Sequence, residues 1–242
     1  MQLQFITQED IINLVQDPNE AAALANALTQ ECIAQKFNGL TLETGVPPHL
    51  LRLLIVDLAK KLHDESMELI LVIPPIREMV NNNPPIHMSK EEFDHLSQHV
   101  DRFSIMTYDF STSKSGPNAP IDWLRDNLEH FGSTPNAHKL LMGLNLYGMY
   151  FTPVKAEPIT GSVYLERLRT CEDEEGEPIH KLVWDKINQE HVAECFNDGD
   201  EIEIWYPSKR SIHDRLELAK EYGVGLSLWE VGQGLDYFYD RL

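Results

Sequence analysis

The fold is best inferred from the segment Phe103-Ser104-Ile105-Met106-Thr107-Tyr108-Asp109. A short apolar run that ends in a phenol and a carboxylate is typical of a buried strand with polar groups at its carboxyl end. The pattern returns in two later segments, Gly143-Leu144-Asn145-Leu146-Tyr147-Gly148 and Gly225-Leu226-Ser227-Leu228-Trp229-Glu230. Because parallel α/β folds place their ligand sites at the carboxyl ends of strands, the aromatic and acidic residues at these ends are candidate ligand contacts.

Longer stretches with helical periodicity separate the predicted strands. The residues Asp17-Pro18-Asn19-Glu20 combine a capping carboxylate with a proline at the first helical position, which predicts a helix N-terminus. Ser89 and Glu92 form a capping box that predicts another. Strands that alternate with helices imply parallel pairing, because each crossover needs a helix to return the chain. A closed barrel and an open doubly wound sheet both fit this alternation. The predicted strands are Phe37–Glu43, Leu69–Ile73, Phe103–Thr107, Leu140–Leu146 and Gly225–Trp229.

The alternation stops between residues 150 and 207. This segment contains several prolines and the acidic run Glu172-Asp173-Glu174-Glu175, which we interpret as a solvated loop. Two strand-like segments follow, Lys181–Trp184 and Glu201–Tyr206, and the turn residues Asn197-Asp198-Gly199 lie between them. The pattern predicts an inserted substructure that carries a hairpin, not another helical crossover.

The composition excludes several classes of protein. The 242 residues carry 20 Lys and Arg against 39 Asp and Glu, a formal net charge of −19, so the basic surface of a nucleic-acid-binding protein is missing. The same acidic balance argues against attraction to anionic lipid, and the apolar runs are too short to span a bilayer. We therefore predict no nucleic-acid partner and no membrane insertion. The first residues lack the basic and apolar regions of a signal peptide.

Neither the cysteines nor the histidines indicate a metal site. The three cysteines match no zinc pattern, and their spacing leaves open whether Cys171 pairs with Cys195. His95 and His99 are four residues apart on a predicted helix, where a solvated face is favoured over a metal pair. We see no phosphate-binding glycine loop in the sequence and expect no cofactor.

Taken in order, the three strand ends resemble the sixth, seventh and eighth barrel strands of glycoside hydrolase family 18, the chitinase family. The resemblance implies a (β/α)8 TIM barrel, in which residues 150–207 form a small α+β insertion before the last strand. Phe37 onward would be the fourth strand, and Leu3–Phe5 the end of the third. The chain would then be the C-terminal two-thirds of the family barrel, with its N-terminal strands missing. The resemblance also implies a secreted or lysosomal protein.

The same resemblance implies where a sugar would bind. Tyr108, Asp109 and Tyr147 match family positions around the sugar nearest the cleavage point, and Trp229 would be its hydrophobic floor. The residue types suit this role, because aromatic rings cover the apolar faces of a sugar while carboxylates bond its polar edges. The implied partners are chitin-type or other amino-sugar oligosaccharides. The implied sugar-binding residues are Tyr108, Asp109, Tyr147, Trp229, Glu43 and Met106.

The catalytic signature of the family is degenerate in this chain. Family members carry Asp-x-x-Asp-x-Asp-x-Glu on the fourth strand, and the final Glu donates the proton to the leaving oxygen. The four signature positions fall on Asn38, Thr41, Glu43 and Gly45, so a glycine occupies the position of the proton donor. Glu43 lies two residues, or about 6.5 Å, from that position, whereas a general acid must reach within about 3 Å. We expect Glu43 to be a buried carboxylate bonded within the barrel, and we assign no catalytic residue.

These observations favour one function and leave two others open. The lost proton donor favours a catalytically inactive lectin. The strong negative charge would also suit a scaffold that binds a receptor or another protein partner through a basic surface. The third function is a residual hydrolase with a relocated acid, at Glu43, Asp109 or Glu230.

Overall fold

The computed structural model describes residues 2–3, 7–76, 88–132, 134–179, 182–197 and 199–240. The chain is divided into two compact units. The first unit comprises Met1–Met106 and Glu129–Met142, and the second comprises Thr107–Leu128 and Gly143–Leu242.

The first unit is a parallel sheet whose strands alternate with helices. Its strands are β1 (Gln2–Leu3), β2 (Gly39–Thr44), β3 (Glu68–Ile73), β4 (Arg102–Ile105) and the first half of β5 (Leu140–Asn145). Its helices are α1 (Gln8–Gln16), α2 (Pro18–Gln35), α3 (Arg52–Asp64) and α4 (Lys90–Leu96). Each strand pairs in parallel with the next one along the chain. The predicted parallel α/β arrangement is therefore confirmed.

Strand β2 carries the degenerate signature. Leu40 and Leu42 are buried, whereas Thr41 is exposed and Glu43 is half-buried. Because alternate residues of a strand point to the same face, Thr41 and Glu43 share one face, as predicted. The expectation that Glu43 is buried is wrong, because the face it shares with Thr41 is the more solvent-accessible one.

The boundaries of the early strands differ slightly from the prediction. Strand β2 begins at Gly39 and not at Phe37, because helix α2 is followed by a left-handed Lys36 that leaves Phe37 53% exposed. A Cβ at Gly39 would lie 2.4 Å from the carbonyl oxygen of Glu68, so the close pairing of β2 with β3 requires glycine. Of the strand end predicted at Leu3–Phe5, Leu3 lies in β1, and the other two residues lie outside the described residues.

Asp101 links two elements of the first unit. Its Oδ2 accepts hydrogen bonds from the Leu69 N–H at 2.8 Å and from His63 Nε2 at 2.9 Å. Partial burial favours the neutral acid, but these hydrogen bonds and the charge of His63 outweigh it. The pKa of Asp101 therefore lies below its usual value.

We expect acidification to remove the stabilisation that Asp101 provides. A carboxyl group whose pKa is lower in the folded state stabilises the fold above its unfolded pKa of about 3.9, and the contribution disappears as the pH falls through the folded value. The contribution is about 1 kcal/mol or less, because the carboxylate is partly in contact with solvent. Urea unfolding of wild type and Asp101→Asn should give midpoints that differ at neutral pH and converge below about pH 4. A difference that stays constant across this range would contradict the assignment.

The second unit contains an antiparallel sheet. Its strands β6 (Gly148–Phe151), β7 (Ala156–Ile159), β8 (Val183–Asp185), β9 (Glu190–Asn197) and β10 (Asp200–Tyr206) lie in the order β7-β6-β10-β9-β8. The other elements are α5 (Ile121–Gly132), whose end belongs to the first unit, α6 (Gly161–Arg169), α7 (Lys209–Tyr222) and β11 (Gly225–Trp229). Strand β11 is hydrogen-bonded to β5, and just beyond β5 the Leu146 N–H donates to the Trp229 carbonyl at 2.8 Å.

The inserted substructure is larger than the sequence predicted. It begins with β6 at Gly148, and the predicted strand Glu201–Tyr206 lies in β10, whose hairpin partner is β9 and not the predicted Lys181–Trp184, of which Lys181 lies outside the described residues. Strand β9 escaped prediction because its polar residues alternate irregularly with apolar ones, and its first residue, Glu190, is buried. Strand β7 contains Pro158, which is tolerated because β7 lies at the edge of the sheet.

A disulfide and an aromatic core hold this unit together. Cys171 is bonded to Cys195, which answers the pairing question that the spacing left open. Tyr164 stacks on Tyr206 with ring centroids 4.1 Å apart. Other buried members of this core are Leu144, Leu146, Tyr150, Ile159, Ile202, Ile204, Ile212 and Phe238.

Candidate functional site

Four of the predicted ligand contacts come together in the second unit. The rings of Tyr108 and Trp229 are nearly parallel, with centroids 6.4 Å apart and an interplanar angle of 24°. Tyr147 meets Tyr108 edge to face at 6.3 Å. Trp229 ends β11 and is 47% exposed, so part of its ring faces solvent. The aromatic side chains of three strand ends therefore form one surface.

A carboxylate is fixed beside this aromatic surface. The hydroxyl of the buried Tyr147 donates a hydrogen bond to Oδ1 of Asp109. Burial raises the pKa of the Tyr147 phenol above its ordinary value, and the hydrogen bond and charge of Asp109 raise it further. Tyr147 consequently remains a protonated donor over the physiological pH range, and it orients the carboxylate.

The backbone of Asp109 is held in an uncommon conformation. Its φ is 61°, in the left-handed region that Asp tolerates better than most residues. The Asp109 N–H donates to Oδ1 of Asn118 at 2.7 Å, and the Phe110 N–H donates to the Asn118 carbonyl at 2.8 Å. Asn118 is 1% exposed, so these bonds are shielded from water. The loop thus fixes the direction of the Asp109 side chain.

Asp109, Tyr147 and Trp229 line a cleft of about 440 Å³, a volume within the range of small-molecule sites. The lining combines polar residues with apolar ones, and several of the apolar ones belong to strands β6 and β7. An amphipathic ligand with flat apolar faces and polar edges matches such a lining. The lining residues are Asp109, Thr112, Tyr147, Met149, Ala156, Pro158, Ile159, Thr160, Trp229 and Gln233.

Comparison with known proteins identifies the family. A family model described as glycosyl hydrolases family 18 matches residues 7–234. The chain belongs to glycoside hydrolase family 18. Among curated relatives, the cortical fragment-lytic enzyme of Bacillus anthracis is 31% identical over 147 residues, which cover 56% of this chain and 32% of that protein. The chain spans about a third of the length of the curated relatives it matches.

Solved family-18 structures agree with the fold. The spore cortex-lytic enzyme SleL of Bacillus cereus superposes with a TM-score of 0.82 at 18% identity, covering 99% of this chain and 57% of that one. A mutant class V chitinase from Cycas revoluta, solved in complex with (GlcNAc)3, superposes with a TM-score of 0.75 at 17% identity, covering 98% and 76%. At such identities the likeness establishes the fold, and it confirms the chitinase-like α/β fold predicted from the strand ends.

The remaining predicted residues of the family-18 site lie in the first unit. Asn38, Thr41 and Gly45 are exposed and Glu43 is half-buried, all in or beside β2. Met106 follows β4 and is half-buried. The cluster in the second unit therefore consists of Tyr108, Asp109, Tyr147 and Trp229.

Several residues of the cleft were not predicted from the sequence. Thr112 and Gln233 lie in loops, and Met149 and Pro158 lie in inserted strands that have no regular alternation. Asn118 is also in a loop and acts through the backbone of Asp109. No periodic pattern marks such residues, so only the three-dimensional arrangement reveals them.

Metal-binding clusters and membrane-spanning helices were both sought among the described residues. The rings of His95 and His99 are 5.6 Å apart, yet across the described residues no three His, Cys, Asp or Glu side chains are grouped to hold an ion. None of the described helices combines the length and apolar character needed to cross a bilayer.

Proposed function

We propose that the chain is a catalytically inactive, chitinase-like lectin that binds chitin-type or other amino-sugar oligosaccharides. The observation that carries this proposal is the exposed Trp229 ring, stacked with Tyr108 beside the Asp109–Tyr147 pair in one cleft. The indole would cover the C–H face of a sugar ring. Asp109 would accept hydrogen bonds from hydroxyl or acetamide N–H groups at its edge.

The expected affinity is modest. Trp229 is 47% exposed and the cleft is open to solvent, so water competes for each polar contact. Dissociation constants in the micromolar to millimolar range are therefore expected. The Cycas revoluta neighbour, solved in complex with (GlcNAc)3, supports the choice of chitooligosaccharides as first ligands.

The absence of hydrolysis is proposed from the signature on β2. Gly45 occupies the family position of the proton donor, and a glycine offers no acid. Positioned general acid–base catalysis contributes roughly 10²–10⁴-fold to the rate, so its loss leaves little turnover. Glu43 lies two residues, or about 6.5 Å along the strand, from that position and would have to act outside hydrogen-bond reach.

Titration and product analysis with the same sugar test both halves of the proposal. Chitotetraose, the tetramer of N-acetylglucosamine, should bind wild type in a calorimetric titration, and mass spectrometry should detect no shorter product after prolonged incubation. Maltotetraose, a matched neutral sugar without acetamide groups, should bind more weakly because it lacks the acetamide donor and methyl group. Failure of chitotetraose to bind would refute the lectin assignment.

A residual hydrolase is the second candidate, because the curated relatives are named lytic enzymes. A relocated acid at Glu43, Asp109 or Glu230 would have to replace the missing donor. Release of a fluorogenic chitobioside product that disappears in Glu43→Gln would favour this function over the lectin.

A third candidate rests on the net charge of −19, which would suit a basic protein partner. The motifs also resemble a chitinase-like member of the family, chitinase domain-containing protein 1, also called stabilin-1-interacting chitinase-like protein. The same resemblance implies a secreted or lysosomal location. Capture of a receptor that is unaffected by competing chitotetraose would favour the scaffold over the lectin.

A further inference from the structure

A buried ion pair lies behind the loop that carries Asp109. Glu190, the first residue of β9, and Arg215, on α7, are 5% and 3% exposed. Oε1 of Glu190 lies 2.9 Å from Nη2 of Arg215. Burying two charges is costly unless each is fully hydrogen-bonded, so the partners of this pair indicate what it holds in place.

Both oxygens of Glu190 bind the backbone of the loop. The Asn118 N–H donates to Oε2 at 3.1 Å, and the Ala119 N–H donates to Oε1 at 2.8 Å. Arg215 binds the same loop directly. Its Nη2, which pairs with Glu190, also donates a hydrogen bond to the Ala119 carbonyl. The ion pair therefore holds residues 118 and 119 in two ways: Glu190 accepts hydrogen bonds from their N–H groups, and Arg215 donates one to the carbonyl of residue 119.

The same loop holds Asp109. Asn118 accepts the N–H of Asp109 through its side chain and the N–H of Phe110 through its carbonyl. Asp109 in turn accepts the hydroxyl of Tyr147. This series of hydrogen bonds therefore connects the carboxylate of Glu190, through Asn118, to the backbone N–H of Asp109, whose side chain lies in the cleft.

The chemistry of this series requires a carboxylate at position 190. Glu190 faces only donors here: two backbone N–H groups and the guanidinium of Arg215. Glutamine has the same shape, but its amide NH2 would face one of these donors and leave it unpaired in a buried place. Burial raises the pKa of Glu190, while Arg215 and the two backbone N–H groups oppose that shift.

The geometry points to Glu190 as a positioning residue of the sugar site, which fixes the Asn118 loop so that Asp109 is presented to the ligand. This inference rests on the proposed sugar binding, and it adds a residue that does not line the cleft. Glu190 and Arg215 come from the inserted sheet and from α7, so elements outside the strand ends would set the geometry of the site.

The first experiment tests the positioning without any sugar. Hydrogen exchange of residues 107–119 should be at least about tenfold faster in Glu190→Gln than in wild type, because the unpaired donor loosens the loop whose backbone N–H groups at residues 109, 110, 118 and 119 depend on this series. Glu190→Asp, which keeps the charge, should exchange at an intermediate rate. Arg125→Gln, which removes an exposed ion pair with Glu221, serves as the control and should exchange as wild type does. Unchanged exchange in Glu190→Gln would overturn the inference.

The second experiment measures the affinity for chitotetraose. Glu190→Gln and Asn118→Ala should each bind at least about tenfold more weakly, since either change releases Asp109. Asn118→Ala leaves the ion pair in place and keeps the test informative should Glu190→Gln fail to fold. Ile202→Ala, a buried substitution on β10, provides a control that lowers the melting temperature and should bind within about twofold of wild type.

The outcomes separate a positioning role from a purely structural one. Weak binding in Glu190→Gln and Asn118→Ala together with near-normal binding in Ile202→Ala supports positioning. An affinity that falls in step with melting temperature across all three variants would overturn it. If wild type binds no chitotetraose, the proposed function fails, while the exchange of residues 107–119 still decides whether Glu190 holds the loop.

Discussion

Replacing Trp229 by alanine should weaken chitotetraose binding by about 30-fold, which corresponds to about 2 kcal/mol for an aromatic residue at the centre of a binding site. The ring is 47% exposed and stacks with Tyr108 at the end of β11, so the ligand would cover the part that faces solvent. Because so much of the ring is exposed without ligand, the substitution should lower the melting temperature by only a few degrees. Calorimetric titration of the variant measures the loss directly.

Two further variants make this test specific. Trp229→Phe keeps a flat apolar face and should recover most of the affinity. Val231→Ala alters a neighbouring side chain that is 75% exposed and should bind as wild type does. Unchanged binding in Trp229→Ala would remove the main support for sugar binding in this cleft, whatever the result for the other two variants.

The largest expected effect on stability comes from the disulfide between Cys171 and Cys195. The bonded residues are 24 positions apart, and closing a loop of that size restricts the unfolded chain by about 3 kcal/mol in the chain-entropy description. Cys171→Ser combined with Cys195→Ser should therefore lower the free energy of unfolding of the second unit by about 3 kcal/mol. Urea unfolding followed by tryptophan fluorescence measures the change, because Trp184, Trp205 and Trp229 all lie in this unit.

Reductant provides the matched control for this prediction. Adding dithiothreitol should shift the wild-type transition toward that of the double serine variant, and it should leave the variant unchanged. A wild-type transition that does not respond to reductant under conditions that break the bond would contradict the proposed contribution. The third cysteine, Cys32, is free and buried in the first unit, so it is not expected to respond.

The strand ends could be predicted from the sequence because their signal is local. Each combines a short apolar run with an aromatic residue, and parallel strands place such ends at the same edge of a sheet. The sequence therefore placed Tyr108, Tyr147 and Trp229 at the ends of strands, and the structure brings their rings close together. The degenerate signature came from the family resemblance, which matches Asn38, Thr41, Glu43 and Gly45 to the four signature positions.

The supporting groups could not be predicted because their partners are distant in sequence. Glu190 is 25 residues from Arg215 and 72 from Asn118, and no periodicity links these positions. A glutamate in a polar stretch is normally expected at the surface, so its burial is visible only when the arginine and the loop are placed around it. The sequence also failed to predict that Glu43 is only half-buried. Strand periodicity shows on which face of the sheet a residue lies, but it does not show how far that face is exposed to water.

The residues that line the cleft come from two parts of the fold. Met149, Ala156, Pro158 and Ile159 belong to the β6–β7 hairpin, whereas Asp109, Tyr147 and Trp229 follow the strands of the parallel fold or end them. Strand β7 is an edge strand, and such strands tolerate replacement better than central ones. In the proposed sugar site, we therefore expect a library confined to the β6–β7 hairpin to change the glycan preference while Trp229 and Tyr108 stay in place.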